Sequence, residues 1–297
     1  MLDDVGLVLE GGGMRSAYTA GVLDFFLDKE MEFPLVSTAS AGALIGSSFI
    51  AKQRERNYEI LTTLGRNPQS ISYKRVLRQK DLFGMDFIFD KIPNELIPFD
   101  FDSFSQANSK FTIGTTSLNT GKPIHYDTYQ TKDELLKIIR ASSSLPILAP
   151  SVSFNGNNLM DGGISDPIPI KPSIDNANHK HIVVLTRNRG YVKKATKLNW
   201  FFKRVFKDHP AFAKALKERH MKYNQTMNML LEMEKRGEVF IIQPEEPLVA
   251  SRIERNKSKL NDLYMQGYRE AEKKSNALDN FLKGTKKTIY LEKNISS

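Results

Sequence analysis

Short apolar runs alternate with helix-length stretches along the first two thirds of this chain. Residues 5–9 (V-G-L-V-L) are apolar and partly β-branched, which predicts a buried strand. A second apolar run at 35–36 passes at once into small residues, Ser37 to Gly42, and then into a helix-compatible stretch over 43–52. Residues 111–118 (F-T-I-G-T-T-S-L) alternate as a strand does, and 119–122 (N-T-G-K) carry a turn signal. Residues 152–154 and 158–160 predict a hairpin about Asn155-Gly156-Asn157, and 181–186 (H-I-V-V-L-T) a further buried strand. Helices are predicted over 16–29, with Ala17, Ala20, Gly21, Leu23, Phe25 and Leu27 on the packing side, from residue 59 toward 78, and over 132–140. Residues 81–104 are rich in Phe and Asp and broken by Pro93 and Pro98. They predict an irregular cover with some reach into an apolar pocket. Strands alternating with helices from residue 5 to 186 predict an α/β layered domain with a largely parallel sheet. Functional loops then belong at the C-terminal ends of its strands.

The last third reads differently: a basic amphipathic region over 207–236, a strand at 238–242, a polar helix over 258–282 and a tail expected to be partly unordered. The expected division is one unit at 1–190 and a mostly helical extension at 191–297 packed on it. At 297 residues, with 40% hydrophobic and 26% charged positions, the chain can bury a substantial core. The formal charge of +9 is concentrated. Between Arg187 and Lys222 lie Arg189, Lys193, Lys194, Lys197, Lys203, Arg204, Lys207, Lys214, Lys217 and Arg219, against only Asp208 and Glu218. Such a run attracts anionic lipid headgroups or other phosphates. No recognisable reading motif accompanies it, so nucleic acid is not expected as a partner. The absence of cysteine excludes disulfides, thiolate metal sites and a cysteine nucleophile. With no basic-then-apolar leader and no run near the ~20 apolar residues of a membrane span, the expectation is a cytoplasmic protein, peripheral to membrane at most.

Three stretches carry candidate chemistry. Ser40 sits between strand and helix among Thr38, Ala39, Ala41 and Gly42, small enough to hold a hydroxyl at a tight elbow. Gly11-Gly12-Gly13, followed by Met14 and Arg15, joins a predicted strand to a helix. Its N–H groups can converge on an anion, as an oxyanion hole or a phosphate cradle. Asp161-Gly162-Gly163 ends the predicted hairpin. Ser40 needs a base: either Asp161 directly, or one of the histidines His125, His179, His181, His209 and His220. Asp81, Asp86 and Asp90 have no spacing specific to a metal, and no cofactor is implied.

Together, G-G-G-M-R at 11–15, T-A-S-A-G at 38–42 and D-G-G at 161–163 resemble the three signatures of the patatin-like phospholipase family in order and spacing. Residues 141–146 resemble its A-S-x-x-x-P segment. The departures are Ser16 for the last glycine of the loop and Thr38 for the first glycine of the elbow. The resemblance covers residues 5–190. It implies the α/β/α patatin-like fold and metal-free acyl hydrolysis by a Ser40–Asp161 dyad, with the 11–15 loop as oxyanion hole. A serine esterase acting on lipid or fatty acyl esters is the leading expectation. A catalytically weak lipid- or anion-binding protein on acidic membranes is the alternative.

Overall fold

The computed structural model describes residues 2, 4–64, 67–72 and 82–283. Asp81, most of the helical expectation beyond residue 64, and the 284–297 tail fall outside these. Among the described residues eight strands form one sheet: β1 (Val5–Leu9), β2 (Leu35–Ala39), β3 (Lys110–Ser117), β4 (Pro123–Tyr126), β5 (Val152–Phe154), β6 (Asn157–Asp161), β7 (Lys180–Val184) and β8 (Val239–Ile242). The pairings run β5-β6-β3-β2-β1-β7-β8, with β4 on the other edge of β3. Five successive strands, β3, β2, β1, β7 and β8, run parallel. β4 and β6 are antiparallel to β3, and β5 to β6. This is the mainly parallel α/β sheet that the alternating pattern predicts. β4 is an addition, since its Pro123 and half-exposed polar positions give no buried-strand signal.

Both faces of the sheet are covered because side chains alternate along each strand. Leu7, Leu9, Ile182, Val184 and Ile242 enter one core with helices Ala17–Asp28, Ala41–Ile50, Lys132–Ser142 and Lys257–Lys273. Val8, Val183, Leu185, Val239 and Ile241 face the other way and meet Tyr223, Leu230 and Met233 of the long helix Pro210–Lys235. The β5–β6 hairpin turns at Asn155 and Gly156, both with positive φ (45° and 74°), as a two-residue type I′ turn requires.

The register of β3 places the site. Gly114 pairs with Ala39 of β2 on one edge and His125 of β4 on the other, and Thr115 pairs with Ile124 of β4 and Asp161 of β6. β2 and β6 therefore share one edge of β3 and approach each other head on, ending at adjacent positions. Asp161 reaches this point from the opposite direction to Ser40, on an antiparallel strand.

Residues 81–104 depart from the irregular expectation. Phe87–Leu96 is a π-helix with Pro93 inside it, followed by a short helix at Phe101–Ser105. A wide i→i+5 turn accommodates a proline that would break a regular α-helix. Phe87, Phe89, Ile92 and Pro93 are its buried side.

The last third is joined closely to the rest. β8 pairs with β7, and helix Lys257–Lys273 crosses helix Ala17–Asp28 at facing glycines. A Cβ on Gly21 would lie 1.9 Å from the Tyr264 carbonyl, and one on Gly267 2.0 Å from that of Tyr18. Gly267→Leu forces the helices apart. It is expected to cost about 3 kcal/mol and to lower the melting temperature by several degrees. An unchanged thermal midpoint would mean the two backbones are not in contact.

Candidate active site

Ser40 is the first residue past β2 and the cap of helix Ala41–Ile50, with φ 56° and ψ −133°. A non-glycine residue there stores roughly 1–3 kcal/mol of backbone strain. Small neighbours permit the bend: a Cβ on Gly11 would lie 2.7 Å from Ser40 Cβ. The strain turns the hydroxyl off the strand and toward β6. Thr38, in place of the expected glycine, is fully buried. Its hydroxyl donates to the Thr112 carbonyl at 3.0 Å, and its methyl faces Gly46, whose missing side chain leaves it room. Ser142 lies in a run of three serines within residues 141–146, and nothing in the sequence distinguishes it from its neighbours. Its Oγ accepts from Ser40 N–H at 2.7 Å and donates to the Gly114 carbonyl at 2.6 Å.

Ser40 Oγ donates to Asp161 Oδ2 at 2.6 Å, and Gly163 N–H donates to Asp161 Oδ1 at 2.9 Å. Asp161 is buried, and its carboxyl is pushed above the ordinary range chiefly by loss of solvent. Arg219, the Ser40 hydroxyl, Arg252 and the Gly163 amide oppose the shift. Gly162 lies against β3, where a Cβ would sit 2.0 Å from the Gly114 carbonyl. No imidazole stands between Ser40 and Asp161. His181 pairs with Ser173 Oγ at 2.8 Å in the core, where burial pushes it down to about 4. His125 pairs with Asp166 at 2.9 Å, and His220 with the Lys217 carbonyl. Asp86 is engaged by Arg140 and Asp90 by Asn94. Among the described residues no group of three His, Asp or Glu side chains is placed to hold a metal ion.

The glycine loop lies across the elbow from Asp161. Among the described residues, the N–H groups of Gly11, Gly12 and Gly13 donate to no protein acceptor. Met14 differs from the expectation: its N–H is committed to the Arg252 carbonyl at 3.0 Å and is not a free donor. That same carbonyl would lie 2.6 Å from a Cβ on Gly13, whose φ is +57°. Arg15 is buried and turned away from Ser40, with Nη2 3.4 Å from Thr186 Oγ1. Burial, Arg187 and Arg252 lower it to about 10, against the pull of Glu10. Glu10 Oε2 accepts from Thr186 N–H at 2.7 Å, tying the loop to the end of β7.

Two cavities meet at Ser40. One, of about 120 Å³, is apolar, with Leu44, Ile60, Leu61, Phe83, Met85 and Ile88 in its wall. The 81–104 stretch thus lines it, as expected in part. The other is small and polar, bounded by the glycine loop, Asp161, Gly163, Arg219 and Arg252. The two arginines were not separable from the surrounding charge in the sequence. Arg219 Nε donates to the Gly163 carbonyl. The basic run itself divides. Arg187, Lys193 and Arg219 are half-buried, whereas Lys194, Lys197, Lys203, Arg204 and Lys207 are exposed around helix Asn199–Val205. Trp200, 69% exposed, projects there beside Leu198 and Val205. Phe202 and Phe206 anchor this helix against Met160 and Ile164, which flank Asp161. Among the described residues no helix is long and apolar enough to cross a membrane.

The patatin-like phospholipase profile matches residues 7–174, and a domain of unknown function, DUF6363, matches residues 209–283. The protein YjjU of Escherichia coli is 30% identical over 187 residues, 61% of this chain and 52% of its own length. Lysophospholipase NTE1 of Cryptococcus neoformans is 30% identical over 190 residues, 61% of this chain and 11% of its own length. The matched region thus spans about half of one relative and about a tenth of the other. The crystal structure of VipD from Legionella pneumophila is similar at a TM-score of 0.45 and 12% identity, over 95% of this chain and 67% of that one.

The buried acid predicts a pH dependence. Its carboxyl titrates higher in the fold than in the unfolded chain, so stability present below the unfolded value is lost as pH rises through the folded one. Asp161→Asn keeps the shape without that loss. Its melting temperature should gain on the parent's as pH rises from about 4 to about 8. A flat difference across this range would contradict the desolvated carboxylate.

Proposed function

The chain belongs to the patatin-like phospholipase family, and from that premise we propose that it is a lipid acyl hydrolase working through a Ser40–Asp161 dyad. The observation that carries this reading is the 2.6 Å hydrogen bond from a strained serine to a buried carboxylate, at the mouth of an apolar chamber. The acyl chain occupies the chamber and brings the ester carbonyl to Ser40. Ser40 Oγ attacks the carbonyl carbon as its proton passes to Asp161 Oδ2. The raised carboxyl is the better base for it. The carbonyl oxygen becomes an oxyanion facing the free amides of Gly11, Gly12 and Gly13, and one such donor is worth about 3 kcal/mol of barrier. Asp161 returns the proton to the departing alcohol. It then takes one from the water that opens the acyl-enzyme and gives it to Ser40 Oγ as the acid leaves. Arg15 and Glu10 hold the loop through Thr186.

The exposed basic face about Trp200 supports peripheral contact with an anionic bilayer. An interfacial tryptophan with lysines on both sides suits the headgroup region, where each cation contributes about 1 kcal/mol. The lysophospholipase activity named for the fungal relative makes a single-chain glycerolipid the natural first substrate to offer.

Ester hydrolysis by the purified chain should fall by roughly a thousandfold or more in Ser40→Ala and Asp161→Asn. It should be indifferent to chelator. Turnover surviving in either variant would overturn the dyad. For the surface contact, Trp200→Ala combined with Lys203→Glu should abolish sedimentation with phosphatidylglycerol vesicles while leaving p-nitrophenyl ester turnover in place. Undiminished sedimentation would place the contact elsewhere.

A further inference from the structure

The polar cavity beside Ser40 is lined by two arginines, Arg219 and Arg252, against one acid, Asp161. Further cations lie within electrostatic reach of these two: Arg15 acts on Arg252 and Lys193 on both, while Arg187 acts on Arg15, with Glu10 as the other acid among them. Among the described residues none of the five forms an ion pair. Glu10 is occupied by Thr186, and Asp161 by Ser40 and Gly163. The Arg252 side chain donates to no protein acceptor among the described residues, although its carbonyl fixes the glycine loop. Burial and the two arginines lower Lys193 to about 7, a shift that a bound anion would reverse.

The nearby aromatic faces are already covered. Lys193 Nζ stands 4.7 Å over the Tyr223 ring, and the Arg187 guanidinium 4.5 Å over Tyr191. A quaternary ammonium therefore finds neither a free aromatic cage nor an unengaged carboxylate, the two groups that recognise it. The apolar chamber and the polar cavity both border Ser40, Gly13 and Leu145. An ester held with its acyl chain in the chamber directs its alcohol part into the polar cavity.

We propose that the cavity bounded by Arg219, Arg252 and the glycine loop is a binding site for the phosphate of the leaving alcohol. It selects net-negative headgroups over zwitterionic choline headgroups. This rests on the acyl-hydrolase reading above. The Arg252 side chain bonds no part of the Ser40, Asp161 and Gly11–Gly13 set, whereas Arg15 and Arg219 hold the loops around it. Of the five cations, all but Arg15 come from residues beyond the 7–174 family match.

The test compares three short-chain esters with the same acyl group: a monoacylglycerol phosphate, a monoacylglycerol phosphocholine and the uncharged monoacylglycerol. The parent is expected to favour the phosphomonoester by about tenfold or more in kcat/KM. Arg252→Gln should erase about tenfold of that preference, mainly through KM, as for loss of one charge-assisted contact. A preference for the choline ester, or an equal loss on all three esters, would overturn the proposal. Calorimetric titration of Ser40→Ala separates this outcome from failure of the hydrolase reading. Monoacylglycerol phosphate should bind, more tightly than inorganic phosphate, and Arg252→Gln should weaken both. If the parent hydrolyses nothing but this binding pattern holds, the dyad reading fails and the site stands. If inorganic phosphate binds as tightly as the acylated form, the headgroup assignment fails. If neither binds, the site itself fails.

Discussion

Two strands running head on into the same edge of β3 create the site. β2 ends opposite Gly114 and β6 opposite Thr115, so Ser40 and Asp161 emerge at the one place where the ladder is broken. Backbone groups that would pair in a continuous strand are left without partners there, and buried N–H and C=O groups must find some. Ser142 supplies them: its hydroxyl takes the Ser40 N–H and gives to the Gly114 carbonyl. The same break brings a hydroxyl and a carboxylate to 2.6 Å without placing either on a flexible loop. Position follows from sheet register, the least deformable feature of the fold.

That arrangement concentrates unfavourable terms at one end of the sheet. Ser40 carries a strained backbone, Asp161 is a carboxylate deprived of water, and several cations gather with few acids. Each would relax if its surroundings allowed. The layers prevent it. The helix after Ser40 is buried along most of its length, and helices Ala17–Asp28 and Lys257–Lys273 lock through facing glycines. Stability elsewhere thus holds a strained site in place, the usual relation between a rigid scaffold and a poised group.

The parallel strands were legible because buried strands read as apolar runs bounded by glycine or small residues. The elbow, the glycine loop and Asp161 were legible for a related reason: their geometry admits few residue types. The misses have physical causes too. Phe87–Leu96 follows neither the 3.6 nor the 2.0 period, since a π-helix has its own spacing, and Pro93 argued against any helix. β4 is an edge strand of mixed polarity. Ser142 sits in a run of serines that sequence does not rank. Arg219 and Arg252 lie far from the motifs, in segments where basic residues are common. Composition records how much charge there is. It does not record which side chains turn inward.

The inward charges also bear on how the last third relates to the chemistry. The Arg252 carbonyl takes the Met14 N–H and shapes the turn at Gly13, while Arg219 holds the Gly163 carbonyl beside Asp161. One clamp therefore acts on the loop of free amides and the other on the loop of the acid. Both originate beyond residue 174, where the family match ends. A unit cut there would keep Ser40 and Asp161 in sequence and lose what fixes the two loops around them. The serine–carboxylate pair and the groups that position its loops thus come from different parts of the chain. In the proposed reaction the first part supplies the dyad and the second the surroundings of the departing alcohol.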